Sequence, residues 1–353
     1  MSRIDPQLAY RRGRARRRWA GLAGTPVLAV AAAAAVALPA GAAPPQAAAR
    51  PATAPAAPSQ FNPLDPYLSF GWLPPGLKLV SGDIAPHVEA IEGGHKLFGD
   101  DDWNVSAFAA GQCHLTAQAK SLTCAPKLGG ITETIDGGAP AVDGHPAYWS
   151  GSTLIWQYAP GGWAMLIAPF PIVSPKGQNR PPALVRQAVK IASNVQYGKP
   201  TPPLMFPLRL PGLPSKWRVS SVFYVGKAGV LTPRRFALTS GKPEPVADGG
   251  VVYQDGLPVY DVGGFTTCPK FKYIKDFSDK SKVMTVNGHR VVLNTLPRPH
   301  NYAQELCAAH AGGMALNIRV EEKNPPMTPL ALFRDHLKLL GPDPAGWTRQ
   351  PIG

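Results

Sequence analysis

One pattern constrains the fold of this chain more than any other: a set of landmarks recurs, in the same order, across residues 61–353. Leu73-Pro74-Pro75-Gly76-Leu77-Lys78-Leu79 resembles Leu210-Pro211-Gly212-Leu213, which is followed by Trp217-Arg218-Val219. Val142-Asp143-Gly144-His145 resembles Val286-Asn287-Gly288-His289, and Ala159-Pro160-Gly161-Gly162-Trp163-Ala164 resembles Ala309-His310-Ala311-Gly312-Gly313-Met314-Ala315. A helical pattern at 183–196 resembles one at 329–341. The offsets of 137, 144, 151 and 146 stay nearly constant, which chance matches would not do. The pattern predicts two tandem diverged repeats, 61–200 and 201–353.

Each repeat reads as short strands followed by one helix. The strand-like runs are 103–109, 153–158 and 163–168 in the first, and 217–225, 250–254, 258–263, 283–286, 290–294 and 314–320 in the second. Asp143-Gly144 and Asn287-Gly288 are turn dipeptides of the hairpin type. Leu184, Val185, Ala188, Ile191, Ala192 and Val195 fall at helical spacing, as do Leu330, Phe333, Leu337 and Leu340. The expected class is α+β: in each repeat, an antiparallel sheet with a C-terminal packing helix. With 41 Pro and 36 Gly and only 16% charged residues, the chain is neither a coiled coil nor an all-helical bundle.

The first sixty residues have another character. The net charge of +14 suggests nucleic acid until its distribution is seen. Seven Arg against Asp5 make residues 1–18 a short basic segment expected on the cytoplasmic side, and 61–353 carries no basic stripe, so no nucleic-acid partner is expected. No charge occurs from Trp19 to Ala43, and VLAVAAAAAVAL at 27–38 is its centre. Basic residues ahead of an apolar span place the chain beyond that span outside the cytoplasm. Two readings of 19–42 stand side by side: a transmembrane helix, by length, or a signal peptide cleaved after Ala40-Gly41-Ala42. The protein is thus expected at the cell membrane, single-pass with its C-terminal domain extracytoplasmic, or secreted after cleavage near Ala42. Residues 43–60 are a Pro/Ala linker without core-forming side chains.

Four cysteines, Cys113, Cys124, Cys268 and Cys307, come after the apolar segment, and an even number outside the cytoplasm reads as two disulfides. Pairing within each repeat, Cys113 with Cys124 and Cys268 with Cys307, needs no contact between repeats; the two other connectivities remain open. Metal-ligand spacing and nucleotide-binding loops do not occur, so no cofactor and no metal is expected. His145 and His289 come directly after the same turn in the two repeats and read first as turn residues packed on their strands. Trp149, Trp156, Tyr158 and Trp163 lie on adjacent strands; core packing is the simpler reading, a ligand or partner surface the functional one. Asp100-Asp101-Asp102 reads as a solvated turn, and the lysines of 270–282 as a basic loop.

From Arg11 to about residue 80, the order of Arg cluster, Ala/Val span, Pro/Ala spacer and the opening Phe70-Gly71-Trp72-Leu73-Pro74-Pro75-Gly76-Leu77 resembles actinobacterial single-pass membrane proteins with anti-sigma-like, sigma-operon-type extracytoplasmic domains. Members of that family that grip a sigma factor do so with a cytoplasmic domain. The eighteen residues ahead of this span are too few for one, so the resemblance implies an ectodomain that works as a sensor or binding module. The expected function is therefore non-enzymatic: an envelope protein whose duplicated domain binds a cell-envelope ligand or a protein partner. The alternative is a secreted or tethered hydrolase with its site between the repeats, near His145 or His289.

Overall fold

Short turns between alternating runs build this chain into strands. The computed structural model describes residues 56–97, 102–116, 120–124, 131–169, 180–198, 202–227, 230–240, 260–265, 280–296, 303–311, 314–320 and 325–353. The first half contributes β1 (Leu68–Phe70), β2 (Lys78–Ala85), β3 (Val88–Gly94), β4 (Trp103–Phe108), β5 (Cys113–Thr116), β6 (Ser121–Cys124), β7 (Ile131–Thr134), β8 (Gly137–Val142), β9 (His145–Ser150), β10 (Thr153–Ala159), β11 (Gly162–Ile167), helix α1 (Pro182–Ala192) and β12 (Val195–Tyr197). The second contributes β13 (Leu208–Arg209), β14 (Arg218–Lys227), β15 (Val230–Thr239), β16 (Tyr260–Phe265), β17 (Lys280–Val286), β18 (His289–Leu296), β19 (Ala303–Ala311), β20 (Met314–Val320), a helical turn α2 (Pro329–Ala331) that widens into a π turn at Leu332–His336, and β21 (Lys338–Leu339). The described residues are mostly antiparallel sheet with few helices.

Fourteen strands form one sheet in the order β17-β18-β19-β20-β16-β15-β14-β2-β3-β4-β11-β10-β9-β8. Counted from its own first long strand, each half runs 1-2-3-7-6-5-4 outward from the centre. The halves join at β2 and β14, where Val222 faces Ile84, Phe223 faces Asp83, Tyr224 faces Gly82 and Val225 faces Ser81. At this seam the Tyr224 ring lies over Gly82, and a Cβ there would run into it. In each half a short strand before the sheet pairs with one after the helix: β1 with β12, and β13 with β21.

Local chemistry sets the hairpins. Asp143 and Gly144 have φ of 50° and 80°, and Asn287 and Gly288 have 51° and 77°, the pair of left-handed residues that a tight hairpin needs. Each of these turns docks on the helical segment of its half: Asp143 bonds Ser193, and Asn287 Nδ2 donates to the Arg334 carbonyl at 2.8 Å. Helix α1 begins with Pro182, whose missing N–H costs nothing in the first turn, and buries Ala188, Ile191 and Ala192.

The main core runs through both halves. It gathers Leu154, Trp156, Leu166 and Ile191 with Val222, Phe236, Leu306 and Ile318. Behind the sheet, in the first half, β5, β6 and β7 form a three-stranded flap. It covers Phe108, Ile155, Trp163 and Met165 with Leu122 and the Cys113–Cys124 disulfide. A strand covered on both faces loses its alternation, and only Gln157 of β10 is not buried.

Several sequence expectations need correction. The second helix does not extend over 329–341. It ends at His336, because Leu337 turns extended and Lys338-Leu339 pairs with Arg209-Leu208. Asp102 is buried rather than solvated, its carboxylate set against Gly94. Lys280 and Lys282 belong to β17 rather than to a loop. The leader 1–42, linker residues 43–55, the strand run 250–254, Asp100, Asp101, Cys268 and the lysines at 270–275 lie outside the described residues. Within those residues no helix is long and apolar enough to cross a membrane.

Candidate functional site

The seam between the halves carries a cleft. The lead-in stretch of chain Gln60, Phe61, Asn62, Pro63 and Leu64 forms one wall, Trp217, Arg218 and Val219 at the start of β14 form another, and Ile352 closes it. The cleft measures about 480 Å³. The lead-in is fixed by Phe61 N donating to the Pro86 carbonyl at 2.8 Å, and Ile352 by its bridge to Leu210. Phe61, Trp217 and Val219 are buried side chains whose edges line the opening. Its lining is mixed: apolar side chains together with the Arg218 guanidinium and the Gln60 and Asn62 amides. Among the described residues that line it there is no carboxylate, histidine, cysteine or hydroxyl.

Behind Phe61 lies a buried acid ringed by tyrosines. Phe61 packs on Tyr67 at 5.5 Å between centroids, Tyr67 on Tyr197 at 6.1 Å, and Tyr197 stacks on Tyr158 at 4.4 Å. The Glu89 carboxylate, on β3, accepts the backbone N–H groups of Tyr67 and Leu68 at 2.9–3.0 Å. It thus takes up two main-chain donors at the start of β1, the strand that pairs with β12. In the other half, the matching strand β15 does this with main chain: Leu231 exchanges bonds with Pro203 and Met205. Burial pushes Glu89 up to about 8, with the two backbone bonds opposing and Asp65 adding to the rise. Burial also raises Tyr67, Tyr158, Tyr197 and Tyr224, each helped by neighbouring negative charge. The Tyr158 hydroxyl donates to the Phe108 carbonyl at 3.1 Å, whereas the buried Tyr224 hydroxyl has no hydrogen-bond partner among the described residues.

A second buried acid holds the flap. Ser150 Oγ donates to Glu133, and burial raises Glu133 to about 7. Nearby, Arg180 pairs with Asp136 at 2.8 Å and lies over the Trp149 ring at 4.8 Å. On the same face of the second half, Asn317 Nδ2 donates to Glu305 and Ser281 Oγ donates to Asn294 at 2.7 Å.

The residues singled out from sequence do not come together. Trp149, Trp156 and Tyr158 belong to the main core, and Trp163 to the core on the opposite face. All four rings are buried, in keeping with the core-packing reading, and their burial stabilises the sheet by roughly 1.5–3 kcal/mol each. His145 and His289 open β9 and β18, which are eleven strand steps apart in the sheet, about 50 Å along it. They share no site. His289 packs edge-on against Phe333 at 6.2 Å, and His145 lies beside Asp143, so each serves its own turn. Cys113 pairs with Cys124, directly opposite it across β5 and β6. Cys307 is disulfide-bonded too, its partner outside the described residues. Among the described residues no group of His, Cys, Asp and Glu is placed to hold a metal ion.

The cleft residues are scattered between positions 60 and 352, and no local motif joins them. Glu89 did leave a signal: in Val88-Glu89-Ala90-Ile91-Glu92 it shares the face of Ile91, so one side of a strand that buries Ile91 also buries Glu89. No known protein family, characterised protein or solved structure matches the chain.

Proposed function

We propose that this chain is a non-enzymatic envelope protein, N-terminus in and C-terminal domain out, that binds a cell-envelope ligand or protein partner at the seam cleft. The single observation behind it is the Cys113–Cys124 disulfide, which clamps the flap over the back of the sheet. Such bonds form and persist outside the reducing cytoplasm. They agree with the charge order of residues 1–42, which directs the domain outward. Among its described lining residues the cleft has apolar side chains, a guanidinium and amides but no acid–base or nucleophilic group, which supports binding over hydrolysis. We further infer that residues 61–200 and 201–353 are diverged copies of one α+β unit. Their common strand order and their matching turn-to-helix contacts support that reading. The likeness of residues 11–80 to sigma-operon membrane proteins bears on topology alone.

The test is the fate of the leader. The chain, tagged at its C-terminus, is expressed in an actinobacterial host; membrane and culture fluid are separated, the mature N-terminus is determined, and free thiols are counted. Oxidised protein in the membrane with residues 1–42 intact establishes an anchor. Oxidised soluble protein beginning near Ala43 establishes secretion. Cytoplasmic protein with reduced Cys113 and Cys124 would sink the extracytoplasmic reading.

A further inference from the structure

The fourteen-stranded sheet ends in two edges of opposite construction. At one end, β8 contains Pro140, slips register against β9 between Ala139 and Val142, and has α1 beside it. A missing N–H and a bulge are ways in which proteins blunt an edge. At the other end, β17 pairs with β18 residue for residue from Lys280 to Val286, with neither proline nor bulge. The tight Asn287-Gly288 turn closes on the pair Val286 and His289, which makes that pair hydrogen-bonded, and bonded pairs alternate with unbonded ones. This register turns the N–H and C=O groups of Ser281, Val283 and Thr285 away from β18. Among the described residues no strand takes them up. Ser281, Lys282, Val283 and Thr285 are exposed, and Val283, at 54%, is the most exposed large apolar side chain described.

We propose that β17 is a docking edge for an extended acidic strand of a partner protein, which adds as a fifteenth strand. Charge decides among the occupants. The hairpin 280–296 carries Lys280, Lys282 and Arg290 and no acidic residue. A second copy of the chain would set one lysine-bearing strand against another, and like charges across a pair repel. Successive side chains of an added strand fall on opposite faces. The strand that fits therefore alternates, an aliphatic residue on the face of Val283 and a carboxylate on the face of Lys282. Main-chain bonds to positions 281, 283 and 285 supply the affinity, and the alternation supplies the choice of partner.

The test uses the full chain, immobilised by a C-terminal tag, and three eight-residue peptides: alternating Asp and Val, alternating Lys and Val, and Asp and Val in separate blocks. The alternating acidic peptide is expected to bind and the other two not. Val283→Pro removes an outward N–H without removing a bond to β18, and binding should be lost. Lys282→Glu should weaken it by about ten-fold or more and turn the preference toward the lysine peptide. Melting temperature is the control on folding; if Val283→Pro melts early, Lys282→Glu, an exposed change, carries the test. The proposal is overturned if the alternating acidic peptide does not bind, or if its binding survives both substitutions. It is also overturned if sedimentation shows a dimer that Val283→Pro dissolves, which would assign the edge to a second copy.

Discussion

Glu89→Gln probes the packing around β1 through its pH dependence. The carboxyl is buried, accepts two backbone N–H groups, and has its pKa raised by that burial from 4.5 to about 8. Between these values the folded protein keeps a proton that the unfolded chain has released. The Glu89 contribution is thus fully present below the lower value and is lost as pH rises through the upper one. At about 1.4 kcal/mol per pH unit, the whole window amounts to about 5 kcal/mol as an upper figure, and the stretch from pH 5.5 to 7.5 to about 2.5 kcal/mol. Glu133, raised by burial to about 7, adds a slope of the same sign over most of that stretch in both proteins. Gln at position 89 retains an acceptor for the Leu68 N–H and does not titrate. Urea unfolding at closely spaced pH values should therefore show wild type losing about 2–3 kcal/mol more than Glu89→Gln between pH 5.5 and 7.5. Parallel profiles for the two proteins would refute the reasoning, because they would mean that Glu89 ionises alike in the folded and unfolded states.

Three further outcomes are expected. Replacing Cys113 and Cys124 together by Ala should cost about 3 kcal/mol, the loop-closure entropy of an eleven-residue separation, and should make stability indifferent to reductant at this site; denaturant midpoints with and without dithiothreitol check it. Gly82→Ala should destabilise by about 1–3 kcal/mol, since its Cβ meets the Tyr224 ring across the seam, and a double-mutant cycle with Tyr224→Leu should return part of that loss. Asn287→Ala should cost about 1–2 kcal/mol, because it puts a Cβ residue without a polar side chain at φ 51° and removes the bond to the Arg334 carbonyl; Asn287→Gly, which keeps the backbone freedom, should cost less.

Features that depend on near neighbours were legible. The turns at 143–144 and 287–288 need left-handed backbone, and only a short list of residues supplies it. Helix α1 announced itself because six apolar positions recur at its period, and Cys113 with Cys124 because a short loop keeps them close. The helix expected at 329–341 failed for a non-local reason. Leu337 to Leu340 satisfies a helical period equally well, but β13, over a hundred residues earlier, offers main-chain bonds that a helix there would forgo. The aromatic residues read first as core, but which core each one serves was not legible. Period two sends Trp156 and Ile155 to opposite faces of β10, and whether either face meets water depends on the flap, whose strands pair elsewhere in the chain. Glu89 stood on an apolar face in plain view, yet its role needed the N–H groups of Tyr67 and Leu68, some twenty residues away, to donate to it.

The order of the parts is legible along the chain alone: a basic start, an apolar span, a spacer, then runs of strand and helical segments, with hairpin turns at 143–144 and 287–288. Those are decisions of backbone sterics, charge and short-range periodicity, and a few adjacent residues suffice to make them. Tertiary structure alone decided that the two halves share one sheet through β2 and β14, that the tryptophans serve two cores rather than a surface, that His145 and His289 stand at far ends, and that a cleft opens where residues 60–64, 217–219 and 352 meet. Strand pairing and burial are contracts between distant segments. Their hydrogen bonds and excluded water belong to pairs of positions that no single stretch of sequence contains.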